Sequence, residues 1–235
     1  MTYIDEIFNN YFGDDANPHL VVTRADQESF HDNFSKFIPK DPNTSILDIG
    51  CGSGRFLHYL KNRNYANIEG VDIGLQQVSI VKNMGIKAAQ ISSISSFLTG
   101  KSYDMITMIG TIEHLSKSTA WDDLKSIYVA LKSNGIFLFM TPNMATLSAS
   151  FRRYIDFTHE VGFSERSAAQ IMTILGYRNI QITGDYIKLK PHPKRIAFYY
   201  ANLMLRYFMR FMYIAESGTD APKIISKNLV VVGYK

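Results

Sequence analysis

Ser45-Ile-Leu-Asp-Ile-Gly-Cys-Gly-Ser-Gly-Arg-Phe-Leu57 has the pattern of a short apolar strand, then a glycine-rich turn, then a helix. Gly50, Gly52 and Gly54 alternate, so three positions within five residues carry no side chain. Glycine permits positive φ angles and lets a ligand approach the backbone closely. Because the amides at the start of a helix favour electron-rich groups, this turn predicts a site for a nucleotide-like cofactor.

The spacing of the glycines and two nearby carboxylates narrow the choice of cofactor. A dinucleotide site uses G-x-G-x-x-G, whereas Arg55 stands here in the place of the third glycine. Asp48 precedes the turn, where it would repel a pyrophosphate but suit a cationic group. Asp72 lies near the end of a second predicted strand, where a carboxylate accepts both hydroxyls of a ribose. An adenosine ribose joined to an ammonium-bearing tail describes S-adenosylmethionine.

Three motifs in this order resemble a known family. Asp48-x-Gly50-x-Gly52-x-Gly54, Asp72 and Ile109-Gly-Thr-Ile-Glu-His-Leu115 are similar to the motifs of S-adenosylmethionine-dependent methyltransferases with a Rossmann-like fold. The resemblance implies an α/β fold: a doubly wound, mostly parallel seven-stranded sheet with helices on both faces and a last antiparallel strand. It also implies a methyltransferase domain at 41–235, preceded by an N-terminal helical lid at 1–40.

The alternation of apolar segments along the chain predicts the same architecture. Strands are predicted at Ile46–Ile49, Ile68–Ile73, Lys87–Ile91, Met105–Ile109, Ile136–Thr141, Asn179–Thr183 and Asn228–Tyr234. Helices are predicted at Arg24–Phe37, Arg55–Asn62, Leu75–Asn83, Trp121–Lys132 and Ser167–Leu175. Strands that alternate with helices imply a parallel sheet covered on both faces.

Composition limits the class of protein and its partners. The chain has 235 residues, of which 46% are hydrophobic, so it can bury the core of one α/β domain. The net charge is +4 and no run of five Lys or Arg occurs, so we expect no nucleic-acid partner. A single cysteine excludes an internal disulfide and fits a reducing compartment. With no signal peptide visible at 1–6, we expect a cytoplasmic protein or one peripheral to the inner face of the membrane.

The family resemblance implies roles for individual residues around the cofactor. The glycine turn would wrap the methionine part, Asp48 would hold its ammonium, and Asp72 would bind the ribose. Ser93 stands where many relatives have an aspartate for the adenine amino group, and its hydroxyl can accept the same hydrogen bond. The predicted cofactor-binding residues are Asp48, Gly50, Cys51, Gly52, Gly54, Asp72, Ile73, Ser93, Ile94 and Ile109.

Two histidines are candidates for the base that removes a proton from the acceptor. His114 follows the predicted fourth strand, whose carboxyl end faces the ligand crevice in such sheets. Its pKa is ordinarily near 6.5, as suits a base, and its alternative role is to orient the loop and shield the cofactor. Glu113, beside it, is predicted to contact the acceptor.

His159 belongs to the second candidate segment, Phe151-Arg-Arg-Tyr-Ile-Asp-Phe-Thr-His-Glu160. The segment resembles the D-x-T-H stretch of methyltransferases encoded with bacterial surface-glycan assembly genes, which lines the acceptor pocket there. His159 would be a base or a ligand of the acceptor, whereas Arg152, Arg153 and Tyr154 would hold its phosphate or carboxylate. A helix-capping role for the end of the segment is the alternative.

A metal ion is not expected. Some relatives bind a divalent ion through E-x-x-E-H and a later histidine, but Gly110 stands where the first of these glutamates would be. Glu113, His114 and His159 would still offer three ligands, a number that catalytic sites use.

Two segments lie outside the common core. Residues 1–40 hold an aromatic-rich opening (Tyr3, Phe8, Tyr11, Phe12) and one helix, which is either the lid or a helix that packs on the sheet edge. A helical insertion is predicted at about 191–216, in which Arg195, Asn202, Arg206 and Arg210 form one narrow polar stripe. Three locations are open for residues 195–214: buried against the domain, at a homodimer interface, or on a membrane surface.

These observations predict an O-methyltransferase that uses S-adenosylmethionine. The C-terminal part resembles methyltransferases of polysaccharide biosynthesis, which implies a small-molecule or glycan acceptor such as a sugar or nucleotide sugar. Methylation of nitrogen or of a phosphate-type oxygen is an alternative. A module that binds the cofactor without turnover is another, while the missing third glycine disfavours a nicotinamide dehydrogenase.

Overall fold

The computed structural model describes residues 22–185, 193–218 and 221–235, and these form one seven-stranded sheet with helices on both faces. The strands are β1 Ile46–Ile49, β2 Ile68–Asp72, β3 Lys87–Gln90, β4 Tyr103–Ile109, β5 Leu131–Pro142, β6 Arg178–Gly184 and β7 Asn228–Tyr234. Their order is β3-β2-β1-β4-β5-β7-β6. Only β7 runs antiparallel, to both β5 and β6, which confirms the predicted fold class.

The helices follow the predicted alternation with two additions. They are α1 Arg24–Phe34, α2 Arg55–Lys61, α3 Leu75–Asn83, α4 Ile94–Leu98, α5 Ala120–Ala130, α6 Ala149–Tyr154, α7 Glu165–Ile174 and α8 Pro193–Ser217, with a 3-10 helix at Ile112–His114. Helices α4 and α6 have five and six residues, too few to show an apolar period in the sequence. The prediction that α5 reaches Lys132 was wrong, because the chain turns into β5 at Leu131.

The sheet separates two apolar layers, because successive side chains of a strand point to opposite faces. On β5, Phe137 and Phe139 face the layer of α4, α5 and α7, whereas Ile136 and Leu138 face the layer of α1, α2 and α3. Strand β7 alternates in the same way and is almost completely buried. Both faces of the sheet are therefore covered, as the continuous apolar runs of its strands predict.

Helix α1 packs on α2, on the face of the sheet that holds the second layer. Phe30 and Phe34 meet the ring of Phe56 edge-on at 5.5 and 5.8 Å between centroids. Asp26 forms an ion pair with Arg55, the residue that replaces the third glycine of the dinucleotide motif. Within residues 22–40 the helix thus packs over a face of the sheet and not at its edge; the lid stays a prediction, and its aromatic opening lies outside the described residues.

Helix α8 is not buried against the domain, so that alternative is wrong for its described side chains. Met209 is buried, but ten large apolar side chains of the helix are between 43% and 72% exposed. Among the described residues, no helix has the length and hydrophobicity to cross a bilayer. The homodimer interface and the membrane surface thus remain as locations for this helix.

Candidate functional site

A cavity of about 440 Å³ opens at the carboxyl ends of the central strands. It lies where the strand order reverses, between β1 and β4, which is the usual ligand crevice of open α/β sheets. Its walls come from the carboxyl ends of the strands and the residues after them: Gly50 and Gly52 after β1, Asp72 at the end of β2, Ile73 after it, Ser93 after β3, and Thr111 after β4.

The glycine turn presents backbone to this cavity. Gly50 and Gly52 have φ angles of +68° and +51°, which side chains rarely adopt. A Cβ at Gly50 would collide with the side chain of Thr111, whereas a Cβ at Gly52 would meet no atom within 4 Å. The turn therefore packs against the β4 loop at Gly50 and is open at Gly52. The open side forms a cradle that a ligand can fill.

Asp72 is held in place by the amides of two turns. Gly52 N–H donates to Oδ2 at 2.8 Å, and Gly74 N–H donates to Oδ1 at 2.9 Å. Burial raises the pKa of Asp72, and these two hydrogen bonds partly offset the rise. Each carboxylate oxygen keeps acceptor capacity beyond its amide, so Asp72 can receive the two hydroxyls of a ribose in a fixed orientation.

Asp48 lies beneath the glycine turn and does not line the cavity. Its side chain is 3% exposed, and Thr107 Oγ1 donates to Oδ1 at 2.6 Å. Burial raises the pKa of Asp48 to about 7; the Thr107 hydrogen bond lowers it and the Asp72 charge raises it. A cationic ligand above the turn would favour the ionised form of this carboxyl group.

The remaining predicted cofactor residues fall into two groups. Ile73, Ser93 and Ile94 line the cavity, and Ser93 Oγ also caps α4 by accepting from Ser96 N–H at 3.2 Å. Three predicted residues do not line it: Cys51, Gly54 and Ile109.

Each of those three residues is used by the fold. The Cys51 N–H donates to Val71 O at 3.0 Å and so extends the pairing of β1 with β2. The Gly54 N–H closes the turn onto Cys51 O at 2.9 Å. The side chain of Ile109 packs into the apolar layer of α1, α2 and α3.

Several polar residues of the cavity wall were missed by the sequence analysis. Gln77 is 3% exposed, and its Oε1 has no hydrogen-bond partner among the described residues. Thr119, Asp122 and Asp123 reach the cavity from the start of α5. The only signal of these three residues in the sequence is their position before and within a predicted helix, which does not show that the helix start faces the cavity.

Two histidines meet at the other end of the site. His114 lines the cavity, and its ring centroid lies 4.7 Å from that of His159, which stands behind it. The Nδ1 atom of His159 lies 2.8 Å from Arg152 O; because a carbonyl can only accept, His159 carries a proton on Nδ1. The pair joins the β4 loop to the segment predicted to bind the acceptor.

A hydrogen-bond chain behind His114 determines its tautomer. Thr158 Oγ1 donates to Asp156 Oδ1 at 2.7 Å and lies 2.7 Å from His114 Nδ1. Because a hydroxyl has one proton, Thr158 must accept from His114, which therefore carries a proton on Nδ1 and a lone pair on Nε2. Burial, and secondarily the charge of His159, lowers the pKa of His114 to about 4, so its ring is neutral at pH 7.

Glu113 points into the interior beside the two histidines. It is 5% exposed and does not line the cavity, and its contact with an acceptor stays a prediction. The 3-10 helix after β4 turns the side chain inward, and burial raises the pKa of Glu113 to about 7. Its carboxylate and the two rings place three ligand atoms within 4.8 Å of one another, so these three residues could hold a divalent cation. That no metal is needed stays a prediction.

The predicted acceptor residues of α6 lie outside the cavity. Arg153 Nη2 donates to Glu160 O at 3.0 Å, and Arg152 Nε donates to Ser148 Oγ at 3.2 Å. The Tyr154 side chain is 81% exposed. The two arginines thus support the segment that carries His159, and their contact with an acceptor stays a prediction.

Comparison with known proteins identifies the family. A family model described as a methyltransferase domain matches residues 22–182. An uncharacterized protein of Methanocaldococcus jannaschii is 34% identical over 102 residues, 42% of this chain and 37% of that protein. A malonyl-(acyl-carrier protein) O-methyltransferase of Halalkalibacterium halodurans is 29% identical over 111 residues, 43% of this chain and 40% of that enzyme. The chain thus spans less than half the length of these two curated relatives.

Solved structures share the fold over nearly the whole chain. A SAM-dependent methyltransferase from Archaeoglobus fulgidus has a TM-score of 0.64 at 19% identity, covering 89% of this chain and 94% of that one. A possible histamine N-methyltransferase from Thermotoga maritima has a TM-score of 0.65 at 18% identity, covering 98% and 99%. Because the family match covers more than half of the sequence, the chain belongs to the methyltransferase domain family, and it has the fold of these SAM-dependent methyltransferases.

Proposed function

We propose that the chain transfers a methyl group from S-adenosylmethionine to an oxygen atom of a sugar, nucleotide sugar, glycan or related small molecule. One observation carries the proposal: neutral His114, with its lone pair on Nε2, lines the same cavity as Asp72 and the glycine turn. A hydroxyl must lose a proton as it becomes methylated, so it needs a base at this position. An amine in its neutral form attacks without one.

The cavity also fits the cofactor. Its volume lies within the range of ordinary small-molecule sites, and the cradle at Gly52 is open to a ligand. When bound, the cofactor supplies an electrophilic methyl group on a cationic sulfur. The chain's own residues would then divide the work: Asp72 orients the ribose, Asp48 attracts the ammonium from beneath the turn, and the cavity wall excludes water.

His114 would act on the acceptor in the same step. His114 Nε2 would accept the proton that the acceptor hydroxyl loses as it receives the methyl group supplied by the cofactor. Thr158 and Asp156 hold the ring in the tautomer that can accept this proton. The Nδ1–H of the resulting imidazolium donates to Thr158 Oγ1, which itself donates to the Asp156 carboxylate. Both hydrogen bonds stabilise the positive charge on the ring.

The proposed acceptor class rests on the segment 151–160. The segment 151–160 resembles that of glycan methyltransferases, and it places His159 against His114. Curated relatives are named for other acceptors, among them the tRNA N(3)-methylcytidine methyltransferase of Schizosaccharomyces pombe, 25% identical over 152 residues, which are 59% of this chain and 50% of that enzyme. The absence of a nucleic-acid partner therefore stays a prediction.

Calorimetry and a transfer assay test the proposal in two steps. S-adenosylhomocysteine should bind and NAD should not, which reports on the cofactor independently of any acceptor. Radiolabelled S-adenosylmethionine should then label sugars and nucleotide sugars that bear free hydroxyls, and the label should be stable as an ether. Labelling confined to amines would contradict O-methylation, and binding of NAD alone would contradict the cofactor.

The raised pKa of Asp48 predicts a pH dependence of cofactor binding. The ionised carboxyl binds the ammonium, so below pH 7 a proton must leave Asp48 as the ligand binds. We expect the affinity for S-adenosylhomocysteine to fall as the pH drops from 7 to 5, by up to about tenfold per unit. The isosteric Asp48→Asn variant should bind S-adenosylhomocysteine more weakly than wild type at pH 7. Its affinity should change little between pH 7 and 5. A wild-type affinity that does not change between pH 5 and 7 would remove Asp48 from the binding site.

A further inference from the structure

Helix α8 is amphipathic with its polar side toward the domain. Asn202, Arg206, Met209 and Tyr213 are the buried or half-buried residues of one stripe, spaced by four, three and four residues. That spacing follows a single face of a helix. The polar stripe predicted from the sequence therefore lies mostly against the protein, and only Arg210 of its described side chains is exposed.

The opposite side of α8 is broad, apolar and exposed. Tyr200, Tyr207 and Phe211 are 59%, 67% and 64% exposed and lie on one row of the helix. Met204 and Phe208, at 72% and 57%, widen this row toward half of the circumference. An apolar patch of this size on a protein surface marks a site of interaction with a protein or a membrane.

A second exposed apolar segment lies beside the acceptor end of the site. Residues 147–157 include five large side chains that are 63% to 83% exposed: Leu147, Phe151, Tyr154, Ile155 and Phe157. The next two residues, Thr158 and His159, belong to the hydrogen-bond chain and the histidine pair. Ala145, just before the segment, shares a cavity of about 380 Å³ with Tyr213 of α8, so the two segments adjoin.

The charge of the chain is concentrated in the same two segments. By sequence, residues 147–157 contain two arginines against one aspartate, and 193–217 contain four basic residues against one glutamate. Their combined net charge is +4, which equals that of the whole chain, so the rest of the protein is neutral on balance. The two segments that expose apolar side chains therefore also carry the net positive charge of the chain; of their described basic residues, Arg210 is exposed and Arg152, Arg153 and Arg206 are half-buried.

We propose that α8 and residues 147–157 bind an anionic bilayer, with α8 lying in the plane of the headgroups. The apolar side chains would enter the upper acyl region, while Arg210, the exposed basic side chain of α8 among those described, meets lipid phosphates. A two-fold dimer would bring two copies of these net-positive segments together, which like-charge repulsion disfavours. The inference about the acceptor rests on the proposed function. The acceptor would be an amphipathic molecule in that bilayer, and its headgroup hydroxyl would reach His114 across the 147–157 segment.

Vesicle flotation tests the surface without the need for an acceptor. Wild-type protein should float with phosphatidylcholine vesicles containing 30% phosphatidylglycerol, and much less with pure phosphatidylcholine or in 1 M salt. The double variant Phe208→Gln/Phe211→Gln should bind about 100-fold more weakly, because two apolar side chains no longer enter the lipid. The matched control is Val129→Gln/Ile174→Gln, which changes side chains that are 67% and 60% exposed outside the two segments, and should float like wild type.

Three results would overturn the proposal. The first is wild-type protein that does not float with the anionic vesicles. The second is a Phe208→Gln/Phe211→Gln variant that floats as well as the control. The third is a dimer of the wild-type protein, detected by light scattering without lipid, that the Phe208→Gln/Phe211→Gln substitutions dissociate. Binding of S-adenosylhomocysteine is measured on the same samples. Normal cofactor binding without flotation would refute the membrane surface alone, and flotation without cofactor binding would refute the proposed reaction alone.

Discussion

Asp72→Ala is expected to weaken binding of S-adenosylhomocysteine by at least about 100-fold while the protein remains folded. In the proposed complex both carboxylate oxygens accept ribose hydroxyls, and hydrogen bonds to a charged group contribute about 1.5–3 kcal/mol each. The substitution also leaves the amides of Gly52 and Gly74 without their acceptor. The glycine turn would then lose the bond that fixes it over the cavity, so part of the effect comes from lost preorganisation.

Isothermal calorimetry on Asp72→Ala and on a control carboxylate measures this effect. Asp41→Ala is the matched control, since Asp41 is exposed and caps a turn that precedes the amino end of β1, away from the cavity. Both variants should keep a cooperative thermal transition, because Asp72 is a desolvated carboxylate whose removal opens no cavity in the core. Cofactor affinity of Asp72→Ala within threefold of wild type would exclude Asp72 from the site.

Much of the fold and the residues of the candidate cavity on β1 and β2 were predictable because local patterns determine both. Strand β1, the glycine turn and α2 occupy consecutive residues, and positive φ at Gly50 and Gly52 is a property of the turn itself. The position of Asp72 one strand away follows from the parallel pairing of β1 with β2. These predictions required only strand period, glycine spacing and the rule that ligands bind at carboxyl ends of strands.

Sequence reasoning does not reach the direction in which a single group points. Cys51 and Glu113 lie in the loops around the cavity, but the Cys51 amide pairs with Val71 and the Glu113 side chain turns inward. Spacing along the chain gives the loop and not the direction of an amide or a carboxylate within it. Gln77 and Asp123 were missed for a related reason, since helices α3 and α5 bring them to the cavity only through tertiary packing.

The direction of α8 shows the same limit. Its sequence contains a narrow polar stripe, which is commonly expected to face water. In the structure Asn202 and Arg206 of that stripe face the domain, and the apolar side faces outward. A helical period gives the two sides of a helix, but the surface against which it packs decides which side is exposed.

His114→Ala is expected to lower kcat by about 100-fold or more while cofactor affinity stays within about twofold of wild type. The substitution removes the proposed base but none of the groups proposed to hold the ribose or the ammonium. His159→Ala should lower kcat less than tenfold, since His159 stands behind His114 and does not line the cavity. Single-turnover rates with saturating cofactor, measured on both variants, separate the two roles.

Substitutions at Thr158 test whether the tautomer of His114 matters, apart from the presence of the ring. Thr158→Val keeps the shape of the side chain but removes the hydroxyl that accepts from Nδ1–H, so the ring can present a protonated Nε2 to the acceptor. We expect kcat to fall about tenfold or more, as for other histidine bases that lose the partner of Nδ1. Thr158→Ser restores the hydroxyl and should recover most of the rate, which a purely steric role of Thr158 would not explain. If His159→Ala proves to be the slow variant, or if Thr158→Val turns over at the wild-type rate, the base is not His114 in this tautomer.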